Sequence, residues 1–176
     1  LISVDASLNL PDFRSAERTF QLLTQVAGRA GRGNQPGRVL VQTMSPDHYA
    51  IAKAVAHDSR GFCEEELAFR KELEYPPFSF LALIELSGNV ESNVDAAAQK
   101  TAAEFTSKKK ALHSRVSILG PATAPLGMLR GRHRRQILIK AKQRNDLHRL
   151  IKTVRETLCL PGAVRLTIDI DPVEML

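Results

Sequence analysis

Tryptophan is absent from this 176-residue sequence, only two tyrosines and two cysteines occur, and aromatic residues make up 5% of the whole. Cys63 and Cys159 stand far apart and in no CxxC pair. That spacing excludes a disulfide framework or a cysteine zinc site and fits two reduced thiols inside a cell. No apolar run approaches the ~18 residues that a membrane-spanning helix needs, so neither a membrane protein nor a membrane partner is expected. The opening Leu1-Ile2-Ser3-Val4-Asp5-Ala6 has neither an initiator methionine nor the basic segment and long apolar stretch of a secretory signal. A cytoplasmic chain entered part-way through a fold is the expectation. The five histidines, at 48, 57, 113, 133 and 148, show no metal-ligand spacing, and Cys63 stands beside three glutamates that disfavour a thiolate. No Gly-Lys dipeptide occurs, hence no P-loop.

What is present is charge, unevenly placed. The formal net charge is +6. Residues 1 to 107 hold 10 basic and 14 acidic side chains, and residues 108 to 176 hold 15 and 5. The densest part carries Arg130, Arg132, Arg134, Arg135, Lys140, Lys142 and Arg144, with His133 among them and no carboxylate. Such a run exceeds what solubility needs and points to a polyanionic partner.

Periodicity orders the chain. Leu1 to Ala6 reads as a short buried strand, and a loop follows that ends in an N-cap at Asp12 or Ser15. Phe20, Leu23 and Val26-Ala27 make one apolar helical face over 16–27, which Gly28, Gly31, Gly33 and the Asn34 to Gly37 turn are expected to stop. Val39 to Thr43 reads as a buried strand. Ser45 to Glu74 is helical with a break near Asp58 to Gly61, and Pro76-Pro77 closes it. Then come a strand at Phe80 to Leu86 and a helix opened by Ser92 and Asp95 as a capping box, with Val94, Ala98, Thr101, Phe105 and Leu112 on one face. A short strand at Val116 to Leu119 should stop at Gly120-Pro121, and another runs from Gln136 to Lys140. Asn145 is the expected cap of the next helix, whose stripe is Leu147, Leu150, Ile151, Val154 and Leu158. Val164, Leu166, Ile168 and Ile170 alternate with polar residues in a last strand. From Phe80 this order is β-α-β-β-α-β, the ferredoxin-like arrangement with two helices on one face of a four-stranded sheet. Phe80 alternates onto the core face, and Phe78 offers a stacking surface.

Gln25-Val26-Ala27-Gly28-Arg29-Ala30-Gly31-Arg32 is a Gln-x-x-Gly-Arg-x-Gly-Arg string at the end of a helix. Two arginines three apart can point the same way, and planar guanidiniums suit phosphate oxygens. Gly28 and Gly31 keep bulk away from an approaching ligand. Phosphoryl-transfer enzymes use such an arginine finger against charge that grows on the γ-phosphate.

This string resembles motif VI of superfamily 2 helicases. With Leu8 to Arg14 and Ala16 to Thr24 before it, and Glu66-Leu67-Ala68-Phe69-Arg70, Tyr75-Pro76-Pro77-Phe78, Gly120-Pro121-Ala122, Leu129-Arg130-Gly131-Arg132 and Asp169-Ile170-Asp171-Pro172 after it, nearly the whole chain is similar to the C-terminal part of the primosomal protein N-prime family of replication-restart helicases. The resemblance implies an ATP-driven 3′-to-5′ DNA helicase that recognises abandoned forks, interacts with single-strand binding protein and other primosome proteins, and starts reloading of the replicative helicase. It implies an α/β chain with an incomplete RecA-like helicase lobe 2 remnant over 1–45, a helical connector over 46–77 and a ferredoxin-like α+β domain that binds DNA or partners over 78–176. By match to motif VI, Arg32 would be the finger and Arg29 next to it, with Gln25, Gly28 and Gly31 at the nucleotide; Asp5-Ala6 falls where motif V begins. ATP and Mg²⁺ would be the cofactors of the intact protein, yet no Asp-Glu dipeptide is present to hold Mg²⁺, and the family's cysteine-rich zinc insertion is missing. The chain alone is therefore expected not to hydrolyse ATP.

Arg130, Arg132, Arg134, Arg135, Lys140 and Lys142 surround the connection into a strand and are the expected DNA-binding cations, reading phosphates and not sequence. Arg144 with Lys142, beside the expected helix start, could instead hold a carboxylate of the acidic tail of single-strand binding protein, which the resemblance implies as a partner. Two other readings stay open: a stand-alone nucleic-acid-binding module in which the arginine motif is vestigial, and an adaptor for acidic tails.

Overall fold

The computed structural model describes residues 2–30 and 38–175. The chain divides into two compact units, Leu1–Leu73 and Glu74–Leu176.

In the first unit a strand β1 (Ile2–Ser3) is followed by helices α1 (Asp5–Leu8) and α2 (Ser15–Ala30), a strand β2 (Val41–Gln42) and helices α3 (Tyr49–Val55) and α4 (Ser59–Glu72). β1 and β2 pair in parallel, Ile2 with Val41 and Ser3 with Gln42. The strand expected over Leu1 to Ala6 is thus cut short. After the buried Val4 the chain turns into α1, where the Asp5 carboxylate accepts from the Thr43 hydroxyl at 2.6 Å and the Met44 amide at 3.0 Å. Helix α2 also departs from expectation, since it runs through Gly28 to Ala30. One helical glycine costs only about 1 kcal/mol, and burial of Ala16, Thr19, Phe20 and Leu23 anchors the helix against that loss. The expected stop at residues 31–37 lies outside the described residues.

Asp12 rather than Ser15 prepares the start of α2. Its carboxylate accepts from the Arg14 amide at 2.9 Å and pairs with Arg18 at 3.1 Å. The break between α3 and α4 falls at Ala56 to Asp58, with Asp58 accepting from the Gly61 amide at 2.8 Å as the α4 cap. A Cβ on Gly61 would stand 2.1 Å from the Asp58 carboxylate, so this cap needs glycine there. Val4, Leu8, Phe20, Leu23, Ile51 and Phe62 form the core, with the Phe20 and Phe62 rings stacked at 4.0 Å. Each such side chain contributes about 2 kcal/mol through removal from water.

The second unit runs β3 (Phe80–Gly88), α5 (Glu91–Ala111), β4 (Val116–Leu129), β5 (Arg132–Ala141), α6 (Arg144–Thr157) and β6 (Val164–Ile170). Its sheet has the order β4-β5-β3-β6, with every neighbouring pair antiparallel. Ile84, Leu86, Ile137 and Ile139 of the sheet meet Phe105 of α5 and Leu147, Leu150 and Val154 of α6 in one core, so both helices cover the same face.

Three local expectations are corrected here. β4 does not stop at Gly120-Pro121 but continues to Leu129. It is an edge strand, where a proline's missing donor needs no partner on the outer side. Register shifts between Leu119 and Ala122 and between Thr123 and Met128 lift the Pro121 and Pro125 segments out of the ladder. Ser92 and Asp95 lie inside α5, whose N-cap is Val90, a residue with no polar side-chain atom to cap with, and Asp95 is instead engaged across the layer by Arg135 at 2.6 Å. Asn145 likewise lies inside α6, which begins at Arg144.

Candidate functional site

Two sets of arginines are the candidate site residues, one in each unit. In the first, helix α2 presents Gln25, Gly28 and Arg29, all exposed and, at spacings of three and four, on one side of its last turns. Gly31 and Arg32 lie outside the described residues. The helix C-terminus carries partial negative charge and by itself repels phosphate. An anion approaching here must be held by the arginines. Gly28 is informative because a Cβ there would meet no atom of the described residues within 4 Å. Packing among the described residues therefore gives no reason for glycine. Gly28→Ala is expected to raise stability by about 0.5–1 kcal/mol, measured by denaturant unfolding; a loss would show an internal reason for the glycine.

What positions α2 went unread in the sequence. Arg70 of α4 donates to Glu66 at 2.7 Å and to Glu17 of α2 at 2.8 Å, and its guanidinium lies 5.2 Å from the centre of the Phe13 ring. The Tyr49 hydroxyl donates to the other Glu66 oxygen at 2.5 Å. Burial and the Glu66 carboxylate push the Tyr49 phenol well above its ordinary range. Burial pulls the Arg70 guanidinium down, but hydrogen bonds to Glu17 and Glu66 hold it above its ordinary value. The network lines a cavity of about 280 Å³ beside Phe20 and Phe62. The available signal was Glu66 and Arg70 at i, i+4 spacing on an amphipathic helix; Glu17, 53 residues from Arg70, gave none.

In the second unit the basic stretch is one strand and its two ends, and the structure does not gather its cations on one surface. β4 and β5 are joined by a two-residue turn, Arg130-Gly131, with φ of 51° and 74°. Both residues at positive φ is the geometry of a tight hairpin turn that twists with its strands. Arg130 and Arg132 are exposed, and neither has an ion pair among the described residues.

Arg134 and Arg135 point to opposite faces. Arg134 is buried, its guanidinium ion-paired with Glu85 of β3 and donating to the Leu126 carbonyl at 3.3 Å. Arg135 faces α5 and pairs with Asp95 at 2.6 Å and Glu91 at 2.8 Å. Eight residues beyond Arg132, or about 27 Å along the strand, Lys140 lies with its ammonium 3.5 Å from the Tyr75 ring centre. Burial lowers the Lys140 pKa, against the pull of Glu74. Lys142 pairs with Glu74 at 2.8 Å, which holds the Glu74 carboxyl below its usual range. Arg144 pairs with Asp171 at 2.9 Å and lies 5.0 Å from the Phe80 ring centre. Arg115, which was not singled out in the sequence, joins Lys140 and Lys142 around a depression of about 210 Å³. Its only signal was net charge, because the register that sets Ser117 opposite Lys140 brings it there. Phe80 packs against the core and Phe78 is exposed.

Among the described residues, no helix is long and apolar enough to cross a membrane. Residues 71–173 match the family described as the primosomal protein N C-terminal domain. The chain is 40% identical over 179 residues to the replication restart protein PriA of Bacillus subtilis, covering all of this chain and 22% of that protein. It is 38% identical to the protein of the same name from Synechocystis, covering 99% of this chain and 20% of the relative. For Haemophilus influenzae the identity is 34%, with 99% and 24% covered. The chain thus spans about a fifth to a quarter of the length of these curated relatives, and what it matches is their C-terminal part.

Proposed function

The chain belongs to the primosomal protein N C-terminal domain family, and from that premise we propose that it is the C-terminal portion of an ATP-dependent 3′-to-5′ DNA helicase that recognises stalled replication forks and restarts replication through primosome assembly. In a bacterial cell it works in the cytoplasm, at the nucleoid. By itself the chain binds DNA or a partner without hydrolysing ATP. The observation that carries the reading is the hairpin turn, where Arg130 and Arg132 stand exposed with no ion pair among the described residues. Two free guanidiniums at the end of a rigid hairpin contact phosphates of any sequence, as fork recognition requires.

Residues 1–45 are the remnant of the second helicase lobe, a reading supported by the parallel β1 and β2 pair beside the arginine helix. Gln25, Arg29 and Arg32 would face the nucleotide, offsetting the unfavourable helix end. ATP with Mg²⁺ supplies a γ-phosphoryl group whose charge grows during transfer, and its main holding motifs lie outside this sequence. Gly28 is compatible with the assignment, since the space around it among the described residues would let a ligand approach the helix closely. The order β4-β5-β3-β6 with both helices on one face supports a ferredoxin-like reading of the second unit. A second partner would be the acidic tail of single-strand binding protein: Arg144, whose side chain is 58% exposed, would take a carboxylate of the tail in exchange for that of Asp171.

The double substitution Arg130→Glu with Arg132→Glu tests the DNA reading by fluorescence anisotropy on forked DNA across a salt series. Affinity is expected to fall on the order of 10- to 100-fold at low salt, and the slope of log affinity against log salt to flatten by about 2. Unchanged affinity and slope would make the turn a solvated surface.

A further inference from the structure

The end of β5 away from the hairpin turn holds a second group of cations. Arg115, Lys140 and Lys142 line one depression of about 210 Å³, together with Ser117 of β4 and the Glu74 carboxylate. The register explains how they meet. Ser117 stands opposite Lys140, and Val116 opposite Ala141. Val116 and Ala141 belong to the core under the helices. By strand alternation Ser117 and Lys140, with Arg115 and Lys142 one step beyond the Val116–Ala141 pair, therefore face the other way. Like charges facing each other across neighbouring strands destabilise a sheet. One lining carboxylate opposes the three cations, Glu74, and it is paired with Lys142 at 2.8 Å. Arg115 is exposed and has no ion pair among the described residues.

Lys140 differs from its two neighbours. It is half-buried, and the Tyr75 ring, its centre 3.5 Å from the Lys140 nitrogen, fixes where that nitrogen stands at the depression. Burial lowers the Lys140 pKa against the pull of Glu74. A larger share of the amine is then neutral, and the neutral amine is the nucleophile. The Arg115 guanidinium keeps its proton and serves only to bind.

We propose that this depression is a modification site at which Lys140 is acylated by an acyl phosphate, with Arg115 and Lys142 holding the phosphate group of the donor. The neutral Lys140 amine attacks the carbonyl carbon and forms the C–N bond of an amide. The C–O bond to the phosphate breaks and the phosphate leaves with that electron pair. The proton lost by the amine passes to it, so the products are an amide and hydrogen phosphate. Cations beside the phosphate oxygens stabilise the charge of the leaving group, and the same side chains hold the donor next to the amine. A neutral acyl donor gains nothing from them. Acylation removes the Lys140 charge, which ends its cation–π contact with Tyr75 and relieves the crowding of like charges.

The full chain is incubated with acetyl phosphate or with the neutral N-hydroxysuccinimide ester of acetic acid, and acetylation of each lysine is followed by peptide mass spectrometry. Lys110, exposed in the last turn of α5, is the reference. With acetyl phosphate Lys140 is expected to react about 10-fold faster than Lys110, and with the ester no more than about 3-fold faster. Arg115→Ala should cut the acetyl phosphate rate at Lys140 about 5-fold and leave the ester rate unchanged, and Arg115→Lys should recover part of the loss. Sulfate, added to the wild type at constant ionic strength, should slow the acetyl phosphate reaction at Lys140 without any substitution. Equal rates at Lys140 and Lys110 with acetyl phosphate overturn the site. A preference for Lys140 of the same size with both donors also overturns it, as does one that both Arg115→Ala and sulfate leave intact, because burial alone then accounts for the reactivity.

Discussion

Arg134→Ala is expected to lower the stability of the chain by about 3 kcal/mol in denaturant unfolding. The Arg134 side chain is only 7% exposed and holds both Glu85 and the Leu126 carbonyl. Removing one partner of a buried pair leaves the other charge without compensation, a loss of about 3–5 kcal/mol. The lower end applies because Glu85 is 23% exposed and water recovers part of its solvation. Replacing both residues by methionine removes the charge problem and should restore most of the stability. The same pair of variants separates structure from DNA contact. If Arg134 acts only through the fold, the double methionine variant binds forked DNA with the wild-type salt slope. A cost below about 1 kcal/mol for Arg134→Ala would show that the pair adds little.

An effect of similar size is expected in the other unit from Arg70→Ala. Arg70, 13% exposed, answers two carboxylates from different helices, Glu17 at 2.8 Å and Glu66 at 2.7 Å. Without it Glu66, 9% exposed, keeps among the described residues the neutral Tyr49 hydroxyl as its hydrogen-bond partner. A loss of about 3 kcal/mol follows. Arg70→Lys should recover less than half, because one ammonium cannot reproduce the planar fork that reaches both acids and lies against Phe13. Full recovery by lysine would show that charge alone matters. Since Glu17 lies on the helix that carries Gln25 and Arg29, the same variant is expected to loosen that helix, read as faster amide exchange along α2 than along α5.

Much of the architecture was legible, and the errors share a cause. Long periodic stretches such as Val94 to Phe105, Leu147 to Val154 and Val164 to Ile170 fold as their spacing indicates, because each buries its own apolar face. The failures came at ends, where local chemistry competes with distant partners. Asp95 suits a capping box, but Arg135 takes it; Gly120-Pro121 suits a stop, but an edge position with a bulge tolerates it. Gly28 suits a helix end, yet α2, anchored upstream by Ala16 to Leu23, runs on to Ala30.

The candidate site divides in the same way. From the sequence alone came the arginine string, the family, the charge surplus and the order of elements, all of which depend on near neighbours along the chain. Which cations stand free was decided only by the tertiary structure. Their carboxylate partners lie far away: Glu85 is 49 residues from Arg134, Glu91 44 from Arg135 and Asp171 27 from Arg144. Seven cations in fifteen residues look alike in the sequence, but strand alternation turns Arg134 and Arg135 to opposite faces and opposite partners. Arg130 and Arg132 stand clear because the hairpin carries them past the last paired residue of β3, Gly88 opposite His133, beyond the acids of the sheet.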